Sequence, residues 1–293
     1  MAEPLFADSK GRPVDVPDLG GPVADTHAHL DMLDDPGLSL ARAAMAGVAF
    51  VATVADPSED ASRTFEELPL WFARAREVLD ARGFAETPLP HVRVILGVHP
   101  HNAKNLIPEV EAELRRLARH GMASAIGEIG LDYFYDHSPR DVQREAFRRQ
   151  LSIARELGMP AVVHLRDAHE DGEAILSEIG LPDAGCILHC YNLGPDLVDR
   201  FLHLGCTVSF AGPVTFKKAE EVRAAAAKVP LDRILSETDC PFMAPEPFRG
   251  RANEPALVVF TAARIALARG EAPATFGPAA FANARRLLDR PRG

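Results

Sequence analysis

Residues 23–29 read VADTHAH, an apolar start followed by two histidines one residue apart, His27 and His29. Side chains of a β-strand alternate between its two faces, so both imidazoles would project to the same side if this segment is a strand. Two neutral imidazoles at a strand end can bind one metal ion, although a pair that is only solvated or hydrogen-bonded has the same pattern. The segment therefore predicts a strand that delivers two candidate metal ligands.

Short apolar runs of the same kind occur seven more times, and helical patterns separate them. Between two of the runs, for example, apolar residues such as Val142, Ala146 and Phe147 recur with helical spacing. Strand–helix alternation repeated eight times predicts a single α/β domain, a (β/α)8 barrel of the TIM type. The predicted strands are Val23–His29, Val48–Val54, His91–His99, Ala123–Glu128, Ala161–His164, Gly185–His189, Cys206–Phe210 and Ile234–Glu237.

The two ends of the chain differ from this repeating pattern. Residues 1–21 are polar and rich in proline and glycine, which indicates an arm that precedes a barrel of residues 22–293. After the last predicted strand, NEPALVVFTAARIALARG and PATFGPAAFANARRLLD predict extra C-terminal helices. The N-terminus lacks the apolar core of a signal peptide, and no apolar run is long enough to span a bilayer. We therefore expect a cytoplasmic protein with no membrane partner, and a monomer by default.

Composition limits the partners of the chain. The formal net charge of its 293 residues is −10, which argues against wrapping a long DNA duplex, because such binding relies on Lys and Arg neutralising phosphates. A small nucleic-acid site is still compatible with this charge if metal ions supply the positive charge. The four cysteines are expected to be reduced thiols. A zinc cluster of Cys186, Cys190 and His203 is an alternative, but its ligand spacing is incomplete.

Most predicted strands end in a residue that can ligate a metal or carry a proton. In a (β/α)8 barrel the C-terminal strand ends meet at one face, where the active site lies. Burying several such groups together would be costly unless they bind metal, and six ligands exceed what one tetrahedral ion needs. The pattern predicts two ions bridged by Glu128. The predicted metal ligands are His27, His29 and Asp239 for one ion, His164 and His189 for the other, and Glu128 for both.

Catalytic and substrate-binding roles can be assigned to the same face. Asp239 is the candidate general base, and Glu128 is the second candidate catalytic residue. The candidate substrate contacts are His99, Arg166, Asp132 and Arg249. Arg166 alternatively forms an ion pair with Asp167 or Glu170, and Asp132, like Glu237, alternatively orients a ligating histidine. Candidates for stacking a terminal base are Tyr133, Tyr135, Tyr191 and Phe216, although packing is the expected role of most of them.

Nine motifs give the chain a family resemblance. They run in order from about residue 24 to 289 as DTHAHLD, GVHP, AIGEIGLDY, VVHLRDA, LHCYN, VSFAGPVTF, ILSETDCPFMAP, FRGRANEP and FANARRLL. As a set they resemble the TatD-type metal-dependent deoxyribonucleases, within the amidohydrolase-like barrels. The resemblance implies the same six metal ligands, ions such as Mg, Mn or Zn, and a 3′-to-5′ exonuclease-like activity on DNA. Some relatives resemble D-aminoacyl-tRNA deacylases instead.

The sequence also departs from that family. Pro247–Arg251 reads PFRGR where the family usually has Pro-His-Arg-Gly-Lys, so Phe248 replaces a polar ring and alters the expected substrate contacts of the last loop. The segment Glu86–Pro90 and the N-terminal arm look like additions.

Two other functions remain open at this point. A related barrel hydrolase acting on an amide, a lactone or an aminoacyl ester would need the same metal chemistry. Many binuclear amidohydrolases resemble one another in bridging their metals with a modified lysine on the fourth strand, and Glu128 in that place favours the nuclease branch. A non-catalytic metal-binding scaffold is the second alternative, and the presence of all six ligands argues against it.

Overall fold

Eight parallel β-strands form one nearly closed sheet in which each strand pairs with the next in sequence order. The computed structural model describes residues 4–8 and 10–289. The strands are β1 Val23–Ala28, β2 Val48–Ala55, β3 His91–Leu96, β4 Ala123–Asp132, β5 Ala161–Arg166, β6 Cys186–Leu188, β7 Thr207–Phe210 and β8 Ile234–Ser236. A parallel bridge between Ala28 and Cys240 joins the two ends of the sheet just beyond β8. The predicted barrel is confirmed.

Helices follow the strands as the sequence pattern predicts. They are α1 Pro36–Met45, α2 Ala61–Ala81, α3 Pro108–Leu117, α4 Arg140–Glu156, α5 His169–Ile179, α6 Pro195–Leu204, α7 Glu220–Lys228, α8 Val258–Ala268 and α9 Pro273–Leu288. Both predicted C-terminal helices are present: α8 completes the alternation and α9 is additional. Across the described ranges, none of the helices is both long and apolar enough to traverse a lipid bilayer.

Helix α9 fills one end of the barrel. Its Ala284, Leu287 and Leu288 form a buried apolar cluster with side chains from the strands, such as Phe50 and Ile95. Because this end is packed with apolar groups, the polar groups of the strands gather at the opposite end, where the strands terminate.

Strand β4 continues past the predicted end at Glu128 and reaches Asp132. Its register with β5 shifts between Ile126 and Ile129, and both of these isoleucines pack in the main hydrophobic core although they lie three positions apart. A simple period of two would place them on opposite faces, so the strand contains a bulge. The bulge lets Glu128 turn away from the layer that both isoleucines occupy. Strand β3 ends earlier than predicted, at Leu96, and His99 lies in the following loop.

The described part of the N-terminal arm packs on the barrel. Phe6 is 2% exposed, and its ring lies 5.7 Å from the ring of Phe248 and 5.3 Å from that of Phe260. Arg251 donates hydrogen bonds to the carbonyl oxygens of Ala7, at 2.8 Å, and Asp8, at 2.7 Å. Phe248, which departs from the family pattern, is therefore a packing partner of the arm. The boundary at residue 21 stays a prediction.

Truncation of Phe6 measures this contact. Phe6→Ala is expected to lower the free energy of unfolding by about 3 kcal/mol, because it removes a buried aromatic ring and leaves a cavity between Phe248 and Phe260. The midpoint of urea unfolding checks it. Phe84→Ala is the matched control, since Phe84 is 42% exposed and its loss should cost less than about 0.5 kcal/mol. Equal midpoints for the two variants would show that the arm does not stabilise the barrel.

Candidate metal centre

Strand β1 and the residue after it place two histidines in one polar cluster. The Nε2 atom of His27 lies 3.1 Å from Oε2 of Glu128, and the Nε2 atom of His29 lies 3.4 Å from Oδ1 of Asp239. The two imidazole rings are 5.2 Å apart between centroids. Both histidines therefore present a nitrogen to the same space.

Glu128 lies between two groups of histidines. Its Oε2 faces His27 at 3.1 Å and His29 at 3.9 Å. Its Oε1 faces Nδ1 of His164 at 2.7 Å and Nε2 of His189 at 2.8 Å. Oε1 also lies 3.4 Å from Nε2 of His99. Each carboxylate oxygen therefore faces a separate group of rings, which is the arrangement that a bridging ligand requires.

Asp239 reaches the first pair of histidines from the loop after β8. Its backbone N–H donates to the carbonyl oxygen of His27 at 2.9 Å, and His29 donates its backbone N–H to Cys240 at 2.9 Å. These bonds fasten the loop to the end of β1. They bring Oδ1 of Asp239 to 3.8 Å from His27 and 3.4 Å from His29.

The donor atoms fit divalent cations. Nδ1 of His164 and Nε2 of His189 are only 3.2 Å apart, and both point at one oxygen of Glu128. Unprotonated nitrogens this close would repel one another unless a cation or a proton lies among them. Nitrogen and carboxylate donors suit Zn or Mn and, less well, Mg. Groups of three such donors within 4.8 Å of one another are His27, His29 and Asp239; His99, Glu128 and His164; and His27, His189 and Glu237.

The carboxylates of the cluster are held in their ionised form. Burial acts to raise the pKa of Glu128, but the neighbouring His189, His99 and His27 outweigh it and keep that pKa well below its usual range. Burial likewise opposes ionisation of Asp239, and the hydrogen bond from His29 with the nearby imidazoles lowers its pKa. Two ionised carboxylates among buried imidazoles form a site that attracts cations.

Comparison with known proteins agrees with this geometry. The model of the TatD related DNase family matches residues 24–289. The chain belongs to this family. A metal-dependent hydrolase of Escherichia coli (strain K12), YcfH, is 39% identical over 256 residues, which cover 85% of this chain and 89% of YcfH. The protein is therefore a metal-dependent hydrolase of the TatD type, and the resemblance carried by the motifs is confirmed.

Two further TatD proteins extend the comparison. The 3′-5′ ssDNA/RNA exonuclease TatD of Rahnella sp. (strain Y9602) is 34% identical over 219 residues, covering 73% of this chain and 83% of that protein. The crystal structure of YJJV, a TatD homolog from Escherichia coli k12, superposes with a TM-score of 0.76 at 28% identity. That superposition covers 92% of this chain and 98% of YJJV, so the TatD barrel extends over nearly the whole molecule.

Two buried carboxylates support the histidines from behind. Oε1 of Glu237 lies 3.2 Å from Nδ1 of His189 and accepts the backbone N–H of Cys190 at 2.6 Å. Asp132 accepts Nε2–H of His101 at 2.8 Å, and the same oxygen lies 3.5 Å from Nε2 of His164. Such partners fix the ring orientation of metal-ligating histidines. The contacts of Asp132 and its 1% exposure favour this orienting role over direct substrate contact.

Removal of the support behind His189 is expected to weaken metal binding. Glu237→Ala should reduce metal affinity by about 10- to 100-fold, because the imidazole of His189 loses the partner that orients it. Competition with a coloured chelator measures the affinity directly. Glu237→Gln should lose less, since its amide oxygen still accepts both N–H groups. Wild-type affinity in Glu237→Ala would contradict the orienting role.

The predicted substrate contacts differ in their exposure and in their partners. His99 accepts the backbone N–H of His101 through Nδ1, at 3.2 Å, so its Nε2 carries the proton and faces Oε1 of Glu128 at 3.4 Å. Burial lowers the pKa of His99 to about 4, which keeps its ring neutral. Arg249 is exposed, and its guanidinium lies 4.3 Å from the ring centroid of Phe216. In the described part of the chain, Arg166 forms no ion pair with Asp167 or Glu170.

The four candidate stacking aromatics also differ in their contacts, and one of them, Phe216, lies against Arg249. Tyr191 is 4% exposed and donates its hydroxyl to the carbonyl oxygen of Gly194 at 2.6 Å. Tyr133 donates its hydroxyl to Asp171 at 2.6 Å. Tyr135, by contrast, is 50% exposed. Packing therefore accounts for Tyr191, as expected for most of the set, and Tyr135 is left open to solvent.

Sequence reasoning missed two residues that hold the Asp239 loop. Asp25 accepts the backbone N–H of Thr238 at 2.8 Å and its hydroxyl at 2.6 Å. Asn253 donates to the carbonyl oxygens of Thr238, at 2.8 Å, and Phe242, at 2.7 Å. Asp25 precedes His27 by two positions, which is a usable signal, whereas no local pattern marks Asn253.

The cysteine alternative has no support in the geometry. Within residues 4–8 and 10–289, no group of three metal-ligand types includes Cys186, Cys190 or His203. Cys186 instead contacts Cys206, and this contact together with burial raises the pKa of its thiol well above the usual range. All four cysteines are free thiols.

Proposed function

We propose that this hydrolase is a deoxyribonuclease that shortens DNA from the 3′ end, with single-stranded or frayed ends as its substrate. The observation that carries the proposal is the position of Glu128, whose two oxygens each face a separate group of histidines. A carboxylate so placed can bridge two divalent ions, Mg, Mn or Zn. The TatD relative from Rahnella, named as a 3′-5′ ssDNA/RNA exonuclease, supports the choice of substrate.

The residues of the cluster have separate roles in metal binding and proton transfer. His27, His29, Asp239 and one oxygen of Glu128 would hold one ion, and His164, His189 and the other oxygen would hold the second. When bound, the ions would supply Lewis acidity that lowers the pKa of a water molecule and offsets negative charge on the phosphoryl oxygens of the substrate. A carboxylate oxygen of Asp239 accepts the proton of the attacking water.

Substrate contacts come from the rim of the centre. The guanidinium groups of Arg166 and Arg249 offer planar donors that match a phosphate, and Nε2–H of His99 offers one more. Because few cations take part, we expect a shallow dependence of binding on salt, in keeping with the net charge of −10. We also place the protein in the cytoplasm as a monomer, and its four free thiols support a reducing compartment.

An end-labelled substrate tests this function. Protein stripped with chelator and reloaded with Mg, Mn or Zn is incubated with a single-stranded DNA labelled at its 5′ end or at its 3′ end. We expect the 5′-labelled strand to shorten stepwise and the 3′-labelled strand to release labelled mononucleotide at once. The double variant His27→Ala/His29→Ala should do neither.

The same experiment separates the ester alternative. An aminoacyl-tRNA ester and a simple lactone are incubated in parallel with the reloaded protein. No DNA cleavage by protein with its metal content verified would overturn the nuclease assignment, and turnover of an ester would replace it.

A further inference from the structure

Two adjacent aromatic side chains beside the metal-ligand cluster are about half exposed, although the ring of Tyr135 also stacks on that of His137 with centroids 5.5 Å apart. Phe134 and Tyr135 lie two and three residues after the end of β4 at Asp132 and are 56% and 50% exposed. Their rings meet edge to face with centroids 4.9 Å apart. Exposing one large aromatic residue is ordinary for a protein surface, but two adjacent ones at the active face of a barrel form a candidate contact surface.

A guanidinium lies against both rings. The Cζ atom of Arg166 is 4.0 Å from the ring centroid of Phe134 and 4.7 Å from that of Tyr135. Across the described residues, no acidic side chain lies within ion-pair distance of Arg166, and its guanidinium donates no hydrogen bond to the protein. Its charge and its planar N–H groups are therefore free to bind a ligand, while the rings orient it.

Asp132 ties this surface to the metal-ligand cluster. Its Oδ1 accepts the backbone N–H groups of Phe134 at 2.9 Å and Tyr135 at 3.0 Å. Its Oδ2 accepts from His101 at 2.8 Å and lies 3.5 Å from His164. One buried carboxylate thus fixes the aromatic pair relative to a metal ligand.

The spacing suits a nucleotide chain. Arg166 follows His164 by two positions on β5, a distance of roughly 7 Å along an extended strand. That is about the length of one nucleotide in an extended single strand. The side chains of His164 and Arg166 project to the same face of β5. A phosphodiester bound beside His164 would therefore have the guanidinium of Arg166, and the rings of Phe134 and Tyr135 that it contacts, on the side of a neighbouring nucleotide.

We propose that Phe134, Tyr135 and Arg166 form a subsite for an unpaired nucleobase adjacent to the scissile phosphodiester. The rings stack on the face of the base, and the free N–H groups of Arg166 bind the phosphate beside it. Both faces of a base within a duplex are already covered, so the subsite selects single-stranded ends. This inference rests on the proposed nuclease function and adds the feature of the substrate that is recognised.

A comparison of normal and abasic strands tests the subsite. The wild-type protein and the variant Phe134→Leu/Tyr135→Leu, both loaded with Mn, are given a single-stranded DNA and the same strand with an abasic residue next to the scissile bond. We expect the wild-type protein to cleave the normal strand with a kcat/KM about 10-fold or more above that for the abasic strand. The double variant should fall to the abasic rate on both strands. Phe84→Leu, at an exposed position away from the strand ends, should behave as the wild-type protein.

Each outcome has a distinct meaning. A wild-type preference that persists in the double variant, or equal rates of the wild-type protein on both strands, overturns the subsite while leaving the nuclease function standing. If kcat/KM of the double variant falls equally on both strands, to below the value of the wild-type protein on the abasic strand, the rings support the metal centre itself. That result also overturns the subsite. If the wild-type protein cleaves no DNA, the proposed nuclease function itself is wrong. If the double variant does not fold, the single variants Phe134→Leu and Tyr135→Leu are expected to lose part of the preference.

Discussion

Glu128→Gln is expected to lower kcat by at least about 100-fold and to reduce the metal content of the purified protein. The glutamine keeps the shape of the side chain but replaces one carboxylate oxygen with an NH2 group. One of the two pairs of histidines would then face a donor where it now faces an acceptor. The expected loss exceeds the roughly 10- to 100-fold effect of removing a residue that only supports a ligand, because Glu128 contacts both halves of the centre.

A surface glutamate gives the matched control for this variant. Glu178→Gln removes a carboxylate that pairs with Arg148 and is 53% exposed, so activity and metal content should stay at the wild-type level. Steady-state kinetics measure kcat, and elemental analysis measures the metal content, for both variants. A Glu128→Gln protein with wild-type kcat and wild-type metal content would show that Glu128 does not bridge the centre.

Stripping the metal is expected to lower the melting temperature by roughly 8–16 °C. A ligand present at about a thousand times its Kd adds roughly 4 kcal/mol to the free energy of unfolding, and a chain of this size shifts by about 2–4 °C per kcal/mol. Without cations, the buried carboxylates of Glu128 and Asp239, with side chains only 4% and 13% exposed, lose the charges that would compensate them. Calorimetry of stripped and reloaded protein measures the shift without any assay of activity.

The double variant His27→Ala/His29→Ala controls the stability experiment. It lacks two ligands of one half of the centre, so reloading should restore only part of the melting temperature. Identical melting temperatures of the stripped and reloaded wild-type protein would mean that the cluster holds no metal under these conditions.

The sequence predicts the barrel because its two determining signals are local. Apolar runs such as Val48–Ala55 alternate with amphipathic helices such as Arg140–Glu156, and this alternation leaves few topologies open. The six candidate ligands follow from the rule that strand ends converge on one face. The structure brings all six into one cluster.

The features that the sequence does not predict depend on contacts between residues distant in sequence. The bulge that turns Glu128 is set by the register of β4 against β5 and has no signature in the neighbouring residues. Asn253 holds the Asp239 loop from a position 14 residues further along the chain, and Phe6 packs on Phe248 from the opposite end of it. The exposure of Phe134 was equally hidden, because an aromatic residue after a strand is usually packed.

The most direct test of the two-ion centre is anomalous diffraction from crystals loaded with Mn. A two-ion centre bridged by Glu128 predicts two peaks about 3.5–4 Å apart, one within coordination distance of His27, His29 and Asp239 and the other beside His164 and His189, with Glu128 touching both. A single peak at full occupancy, or two peaks not joined by Glu128, would contradict it.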